Sequence, residues 1–283
     1  MPTRDPAVLN ATRALLYEVS VTPKPGLVDP ADVGPHPDMD VFTFIDSATA
    51  LEDYWTTCFA LGQAFTGAAL PDLFRQLRPA GVAAETAMFH ATHGVNTHKG
   101  AVFSLGVIVA AAGYQTQAAP YATDQTLAVV RAMLDGLTAN DFAGLDQKPA
   151  DQLTAGERQY LKYGTTGIRG QAEAGFPVVA TVSLPYLRQS RGTRTQRLLN
   201  TLMTIVAHTA DSNLIKRAGT ATIVPWAQET AQAILDAGGC QTPAGQIQLT
   251  QMNRSFKAKN LSLGGSADLL ILTIYFGLME QIL

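Results

Sequence analysis

The feature that most constrains this fold is a short polar loop that leads straight into a long apolar run. The loop is closed by Gly100 and followed by the apolar run 101–113; its four polar residues are Asn96, Thr97, His98 and Lys99. This order predicts a tight loop at the N-terminus of a buried helix, where backbone N–H groups are unpaired and carry partial positive charge. Lys99 adds a full charge, and Gly100 lets an anion approach the backbone. The stretch therefore predicts a phosphate site, with simple capping by Asn or Thr as the alternative.

The rest of the 283-residue chain shows the apolar spacing of helices. Because 47% of the residues are apolar and only 15% are charged, most elements must bury much of their surface. We predict one all-α domain over residues 1–283, a globular multi-helix bundle whose buried central helices follow Gly100 and Gly265. Pro79 is predicted to open a helix and Ser266 to cap the last one. The other predicted helices cover 5–20, 41–65, 72–78, 79–92, 123–137, 176–187, 195–210, 221–236 and 243–259.

Composition excludes several classes of partner. A net charge of −3 argues against a broad nucleic-acid surface. No apolar run reaches the ~18–20 residues of a membrane span, and the first residues lack the apolar segment of a signal peptide. Cys58 and Cys240 lie far apart without metal-type spacing, which fits a reduced, cytoplasmic protein.

Several other loops carry groups suited to phosphate chemistry. The rigid loop 22–29 has two prolines and a glycine, and Gly264 and Gly265 precede the last apolar run. Anion-binding backbone tolerates nearby carboxylates when a cation such as Mg²⁺ joins them to phosphate oxygens. The residues alone therefore predict an enzyme that handles a nucleotide or polyphosphate with Mg²⁺; a helical scaffold with well-capped helices is the alternative. The charged residues considered are Lys24, Arg169, Arg217, Asp29, Asp38, Asp40, Glu85, Glu173, Asp211 and Asp268.

Two other types of site fit the sequence less well. His90, His93 and His98 suggest zinc, but they lack the His-Glu-x-x-His pattern that brings a base beside the metal. The glycines of 163–170 follow no predicted strand, which argues against a dinucleotide-binding fold.

Six motifs occur in order along nearly the whole chain. They are Thr-Pro-Lys-Pro-Gly-Leu-Val-Asp (22–29), His-Pro-Asp-Met-Asp (36–40), Gly-Val-Asn-Thr-His-Lys-Gly (94–100), Tyr-Gly-x-x-Gly-x-Arg-Gly (163–170), Asp-Ser-Asn (211–213) and Gly-Gly-Ser-Ala-Asp (264–268). Together they resemble the triphosphoribosyl-dephospho-CoA synthase family, which makes the prosthetic-group precursor of citrate lyase, with a close relative serving malonate decarboxylase. The resemblance implies that ATP donates its triphosphoribosyl group to the 2′-hydroxyl of 3′-dephospho-CoA, with release of adenine. It also implies that the product passes to an acyl-carrier-protein holo-transferase.

The resemblance further implies roles for individual residues. Glu85, His98 and Glu173 are candidates for the general base that activates the acceptor hydroxyl. Ligands of Mg²⁺ are expected among Asp29, Asp38, Asp40, Asp211 and Asp268. Substrate contacts are expected from Lys24, Gly26, Asn96, Thr97, Lys99, Gly100, Tyr163, Arg169, Asn213, Arg217, Ser262, Gly264, Gly265 and Ser266.

The chain also departs from the family pattern. Gln171 stands where Glu is expected, which removes one candidate for the general base or for a metal ligand. Glu173 is therefore the more favoured candidate in this loop. His93, Ser212 and Leu263 stand where Gly, Thr and Pro are expected. A Mg²⁺-dependent nucleotide hydrolase and a non-catalytic CoA-binding protein stay open as alternatives.

The motifs also predict where the triphosphate binds. A single helix end is equivalent to roughly half a charge, which is too little to hold a triphosphate. We therefore expect Lys99 and the Gly264-Gly265 turn to converge on one polyphosphate site, although they are far apart in sequence.

Overall fold

The computed structural model describes residues 5–283, and helices make up its regular structure. Within these residues no β-strand forms, and an isolated bridge pairs Asp29 with Asp32. The predicted all-α class is therefore confirmed. Short 3-10 turns cover Leu145–Gln147 and Gly239–Gln241, and a π-helical turn covers Val179–Ser183. The α-helices are α1 (Pro6–Ser20), α2 (Val41–Ala50), α3 (Glu52–Ala64), α4 (Leu70–Ala91), α5 (Lys99–Gln115), α6 (Thr123–Met133), α7 (Leu137–Asp141), α8 (Ala155–Tyr163), α9 (Gly167–Glu173), α10 (Leu184–Gln189), α11 (Arg194–Ala207), α12 (Ser212–Ala218), α13 (Ile223–Asp236), α14 (Pro243–Ala258) and α15 (Gly264–Met279).

Helices α5 and α15 form the centre of the bundle, as their apolar sequences predict. Nearly every residue of both helices beyond the first turn is buried. Helix α3 packs along α5, while α1 and α11 pack against α15. One cluster of buried apolar side chains, from Ala7 to Leu278, joins both ends of the chain. Among residues 5–283, no helix combines the length and the apolarity needed to cross a membrane.

The crossing of α3 and α5 is unusually close because glycine faces backbone on both sides. A Cβ added to Gly62 would lie 2.0 Å from the carbonyl oxygen of Ala110. A Cβ added to Gly113 would lie 2.2 Å from the carbonyl oxygen of Phe59. Neither carbonyl can move without breaking its helix, so the crossing fixes the direction in which the N-terminus of α5 points.

The helix predicted over 41–65 is wrong in one respect, because it is divided at Leu51. The Leu51 N–H bonds to the carbonyl of Thr49, which tightens the last turn of α2, and α3 starts at the next residue. The Leu51 side chain is fully buried. Tertiary packing therefore sets this break, and no glycine or proline marks it in the sequence.

The helix start predicted at Pro79 is also wrong, since Pro79 lies inside α4. An internal proline removes one backbone hydrogen bond and costs about 3 kcal/mol in an isolated helix. The buried side chains of Leu73, Leu77 and Met88 lie on both sides of it. Burying each of them contributes about 1.5–3 kcal/mol, so packing of the whole helix outweighs the local signal.

Candidate active site

Three cavities meet at the N-terminus of α5. The proline-loop cavity, of about 370 Å³, is lined by the loop that follows α1. The aromatic cavity, of about 450 Å³, is lined by Tyr54, Phe74 and Phe103. The glycine-loop cavity, of about 680 Å³, is lined by residues 164–168 and 170–171. Gly100 lines all three, and each volume lies near the range of small-molecule sites.

The first turn of α5 supplies free donors at this meeting point. The Lys99 N–H donates to Asn96 Oδ1 at 3.4 Å, and the Val102 N–H bonds to the His98 carbonyl. The N–H groups of Gly100 and Ala101 have no hydrogen-bond partner in the part of the chain that the structure describes. This helix end therefore retains the free donors and the partial positive charge that suit an anion.

The Lys99 ammonium group is engaged at the surface. Its Nζ lies 2.8 Å from Glu85 Oε2, and both groups line the aromatic cavity. The two side chains are 53% and 31% exposed, so the pair is solvated and weak. A phosphate can compete with such a partner, and the predicted contact by Lys99 stays a prediction.

Asp268 lies directly against Gly100. A Cβ added to Gly100 would lie 1.9 Å from Asp268 Oδ2, so only glycine leaves room for this carboxyl group. No hydrogen bond or ion pair reaches the Asp268 carboxyl group from residues 5–283, and Asp268 lines both the proline-loop and the glycine-loop cavities. Burial raises the pKa of Asp268 to about 8, and the charges of Asp211 and Glu18 act in the same direction. The arrangement suits a cation, which would favour the ionised form.

Two N–H groups at the start of α15 donate to a partner within the chain, the carboxylate of Asp211. Asp211 Oδ1 accepts a hydrogen bond from the Gly265 N–H at 3.3 Å, and its Oδ2 accepts from the Ser266 N–H at 2.6 Å and from Ser266 Oγ at 2.8 Å. The helix begins at Gly264, so Ser266 is not its cap but a fully buried residue of the first turn. These donors are engaged within the chain, while Gly265 lines the glycine-loop cavity together with Lys99. The substrate contacts predicted for Gly265 and Ser266 stay predictions.

Asp211 also caps α12 and lines the glycine-loop cavity, and its predicted metal role stays a prediction. Its Oδ1 accepts from the N–H groups of Asn213 at 2.8 Å and Leu214 at 3.0 Å. Burial raises the pKa of Asp211, while the hydrogen bonds from Leu214 and Ser266 oppose that shift. Both carboxylate oxygens are satisfied, so Asp211 holds the starts of α12 and α15 together. Asn213 consequently lies beside Gly264, where it lines two of the cavities.

Lys24 is buried and paired, a partner that the sequence did not reveal. Its Nζ donates to Glu18 Oε1 at 2.5 Å and to the Glu18 carbonyl at 2.8 Å. Glu18 lies in the middle of a helical pattern, and no motif marks it. Asp29 accepts from the Lys24 N–H at 3.0 Å and the Ala31 N–H at 2.9 Å, so it stabilises the proline loop and lines none of the three cavities. The predicted metal role of Asp29 stays a prediction.

Arg217 and His36 join distant motifs at the rim of the proline-loop cavity. Arg217 Nη2 donates to His36 Nδ1 at 3.1 Å, and the His36 Nε2 lies 3.3 Å from both the Gly26 carbonyl oxygen and Ser262 Oγ. Burial, and then the Arg217 charge, lower the pKa of His36. Gly26 has φ +66°, and a Cβ there would lie 2.3 Å from the Leu261 carbonyl oxygen. Gly26 thus allows loop contact and does not line the cavity, unlike Ser262 and Arg217.

The His98 ring bonds to the hydroxyl group of Ser47, a residue that no sequence motif marks. Its Nδ1 lies 2.7 Å from Ser47 Oγ, and Thr97 Oγ1 donates to the same Ser47 oxygen at 2.7 Å. Burial, helped by the Lys24 charge, lowers the pKa of His98 to about 3. An imidazole of such low basicity is a poor proton acceptor at neutral pH. Its low basicity argues against His98 as the general base, and that role stays a prediction.

Three further predicted residues lie away from the three cavities, and a fourth lines the rim of one of them. Glu173 accepts hydrogen bonds from the hydroxyl and N–H of Thr138, and Asp40 caps α2 through Thr43. Tyr163 lies at a surface groove between α8 and α12, with Lys162 over its ring at 4.9 Å. None of these three residues lines the three cavities, and their predicted roles stay predictions. Asp38 lines the rim of the proline-loop cavity as an exposed side chain, and its metal role stays a prediction.

The remaining predicted residues line the cavities. Arg169 lines the aromatic cavity, with its Nε 2.9 Å from Asp141 Oδ2. Gln171 lines the glycine-loop cavity, and its buried Oε1 has no hydrogen-bond partner. His93, which replaces an expected glycine, adopts φ 53°, a left-handed conformation that glycine favours. Gly264 and Thr97 line the proline-loop cavity.

The described residues contain no cluster of three or more Asp, Glu, His or Cys side chains placed to bind a metal ion. Mg²⁺ does not require one, since it often binds through one or two carboxylates, waters and substrate phosphates. The unpartnered carboxyl group of Asp268 fits that mode.

These features define an all-helical protein whose polar cavities converge on an anion-binding helix end and a free carboxyl group. A family model described as ATP:dephospho-CoA triphosphoribosyl transferase, CitG, matches residues 6–283. The chain belongs to this family, and it is a triphosphoribosyl transferase.

Named relatives agree with that family over nearly the full chain. A probable 2-(5″-triphosphoribosyl)-3′-dephosphocoenzyme-A synthase of Lactiplantibacillus plantarum is 58% identical over 277 residues, covering 98% of both chains. A protein with the same name from Citrobacter koseri is 38% identical and covers 98% of this chain and 92% of its own. Protein CitXG of Leuconostoc mesenteroides subsp. cremoris is 48% identical over 96% of this chain but only 59% of its own length. No solved structure matches the chain.

Proposed function

We propose that this enzyme transfers the 5-triphosphoribosyl group of ATP to the 2′-hydroxyl of 3′-dephospho-CoA at the meeting point of the three cavities. The observation that carries the proposal is the juxtaposition at Gly100. Free N–H groups of Gly100 and Ala101 lie beside the unpartnered carboxyl group of Asp268. Donors for a polyphosphate and a ligand for its cation are thus adjacent.

The triphosphate binds, in this proposal, at the start of α5. Lys99 exchanges its solvated Glu85 partner for phosphate oxygens. Asn96 and Asn213 line two of the cavities and offer amide donors. Arg217 and Lys216 supply positive charge at the rim of the proline-loop cavity. Lys24 contributes no free charge, because Glu18 neutralises it.

Asp268 would hold Mg²⁺ together with phosphate oxygens. The bound ion would neutralise part of the polyphosphate charge. Gly100 is the residue that makes this contact possible, since any side chain there would displace the carboxyl group.

The transfer replaces the bond between ribose C1′ and adenine N9 by a bond to the acceptor oxygen. Positive charge grows on the ribose as the C–N bond lengthens, and nearby carboxylates stabilise it. Of the three bases predicted from sequence, Glu85 alone lines a cavity at Gly100 and keeps a carboxylate. Glu85 therefore takes the proton of the 2′-hydroxyl in this proposal. Inversion at C1′ follows from a single displacement.

The test is to incubate the enzyme with ATP, Mg²⁺ and dephospho-CoA, followed by mass analysis. We expect free adenine and the condensed product in equal amounts. Asp268→Asn should lower kcat/KM by ~100-fold or more, while Asp151→Asn, at an exposed turn, serves as the matched control. Release of ADP, or adenine formed equally well without acceptor, would indicate a nucleotide hydrolase instead.

The cellular setting is part of the same proposal. The product would pass to an acyl-carrier-protein holo-transferase that serves citrate lyase or malonate decarboxylase. The buried free thiols of Cys58 and Cys240 support a reducing, cytoplasmic location.

A further inference from the structure

His98 has one nitrogen that the structure leaves without a partner. The residue is only 2% exposed, it lines the proline-loop cavity, and its Nε2 has no hydrogen-bond partner in the described chain. An unmet hydrogen-bonding group in such a place costs about 1–3 kcal/mol. A ligand that reaches Nε2 from the cavity would remove that cost.

The hydrogen bonds behind the ring decide what this nitrogen can do. The Thr97 hydroxyl donates to Ser47 Oγ, and since the Ser47 hydroxyl has no other acceptor in the described chain, we assign its proton to the hydrogen bond with His98 Nδ1. A neutral imidazole whose Nδ1 accepts carries its proton on Nε2. Burial and the Lys24 charge lower the pKa of His98 to about 3, so the ring stays neutral. His98 therefore carries a neutral Nε2–H donor that has no hydrogen-bond acceptor in the described chain.

The walls of the cavity indicate the kind of acceptor. Phe44 packs edge-on against the His98 ring, with centroids 5.0 Å apart. Further apolar wall is supplied by Leu27, Val28, Met39 and Ile271. A flat heteroaromatic ring suits this apolar part of the wall, next to His98, whereas Lys216 and Arg217, which line the same cavity, suit phosphate groups. The free backbone donors at Gly100 lie at the edge of the same cavity.

We propose that the proline-loop cavity binds the adenine ring of ATP and that His98 Nε2–H donates to N3 or N7, the two acceptors that flank N9. This inference rests on the proposed function, since it names the subsite of the leaving group. When the C1′–N9 bond breaks, its electron pair moves into the purine, which later takes a proton from water. The 2′-oxygen of the acceptor bonds to C1′, and the proton of its hydroxyl group passes to the general base, Glu85. The hydrogen bond from His98 strengthens as the purine gains negative charge.

The test is a binding cycle with adenine, 3-deazaadenine and 7-deazaadenine. Each deaza compound lacks one of the two acceptors. In the wild type we expect one of them to bind ~3- to 10-fold more weakly than adenine, the value of one neutral hydrogen bond. His98→Ala should weaken adenine by a similar factor and abolish the discrimination between adenine and that analogue. His98→Gln, whose amide can restore a donor, should recover part of it.

Two controls separate this effect from damage to the fold. His90→Ala alters an exposed histidine on α4 and should leave all three dissociation constants unchanged. Ser47→Ala removes the donor to Nδ1, so we expect mixed tautomers in the ¹⁵N spectrum of labelled protein. The wild-type spectrum should show one histidine protonated on Nε2 and not on Nδ1.

Three results would overturn the inference: an Nδ1–H tautomer in the wild type, no binding of adenine, or equal losses for adenine and both analogues in His98→Ala. These results leave the transfer reaction unaffected, because adenine release by the wild type is measured separately. Conversely, an intact binding cycle without transfer would keep the adenine subsite and reject the proposed function.

Discussion

Substitution of Gly100 tests the central geometry directly. In Gly100→Ala the new Cβ would lie 1.9 Å from Asp268 Oδ2 and 2.7 Å from its Cγ, well inside contact distance. The clashing atoms are the end of a flexible side chain, so Asp268 can rotate away. Alanine also gains up to ~1 kcal/mol of helix propensity, against ~1–3 kcal/mol for overpacking. We therefore expect the free energy of unfolding to fall by at most ~2 kcal/mol.

Activity should respond far more strongly than stability. A displacement of about 1 Å in a positioned group can cost ~100-fold in rate, so kcat/KM of Gly100→Ala should fall by at least that factor. The assay is steady-state adenine release, with thermal unfolding measured on the same samples. In an Asp268→Ala background, Gly100→Ala should have little further effect, because the clash is gone.

Other glycines provide matched controls for this experiment. Gly156→Ala on α8 meets nothing within 4 Å and should leave the free energy of unfolding near wild type; because Gly156 lines the glycine-loop cavity, this variant controls for stability alone. Gly62→Ala meets the Ala110 backbone oxygen at 2.0 Å and should destabilise the protein instead. Wild-type kcat/KM in Gly100→Ala would refute the role assigned to the contact with Asp268.

Three further outcomes follow from buried or displaced groups. Lys24→Met should cost ~3–5 kcal/mol of unfolding free energy in urea, because it leaves the buried Glu18 carboxylate unpaired; a Glu18→Leu, Lys24→Met pair that is no more stable would contradict this. The pKa of His98 falls from 6.5 to about 3 on folding, so the unfolded state binds the extra proton and the free energy of unfolding drops as pH falls below 6.5. The free energy of unfolding of the wild type should therefore be lower at pH 5 than at pH 6.5, and His98→Gln should remove ~2 kcal/mol of that difference. Glu173→Gln should change kcat/KM by less than ~3-fold, since its carboxylate bonds to Thr138 outside the cavities; a hundredfold loss would restore it as a base.

The fold and the site differ in how far local sequence signals reach. The start of α5 after His98 could be predicted, because a polar loop, a glycine and an apolar run are consecutive. The central burial of α5 and α15 follows from composition alone. Pro79 shows the limit, since its local signal is overruled by apolar contacts along the whole of α4.

The hydrogen-bond partners of the site residues could not be predicted, because most of them lie far away in the sequence and meet only in the folded chain. Asp211 fills the start of α15 from 54 and 55 positions away, and Ser47 meets His98 across 51. Glu18 pairs with Lys24 over only six residues, yet the bend of the intervening loop decides the contact. The sequence identifies aspartates and histidines as residues that can act in catalysis or bind a metal ion. It does not show that several of them cap helices or form hydrogen bonds within the chain.

The carboxylate of Asp211, which bonds to the starts of both α12 and α15, takes the position that a bound anion could otherwise fill. Because Asp211 belongs to the chain, its presence at these two helix ends does not depend on the concentration of phosphate around the protein. The two ends are therefore held in register before any substrate arrives, and a nucleotide does not have to supply the free energy of bringing them together. Inorganic phosphate, in turn, finds the N–H groups of Gly265 and Ser266 already bonded, so at the proposed site it would compete with ATP at the start of α5.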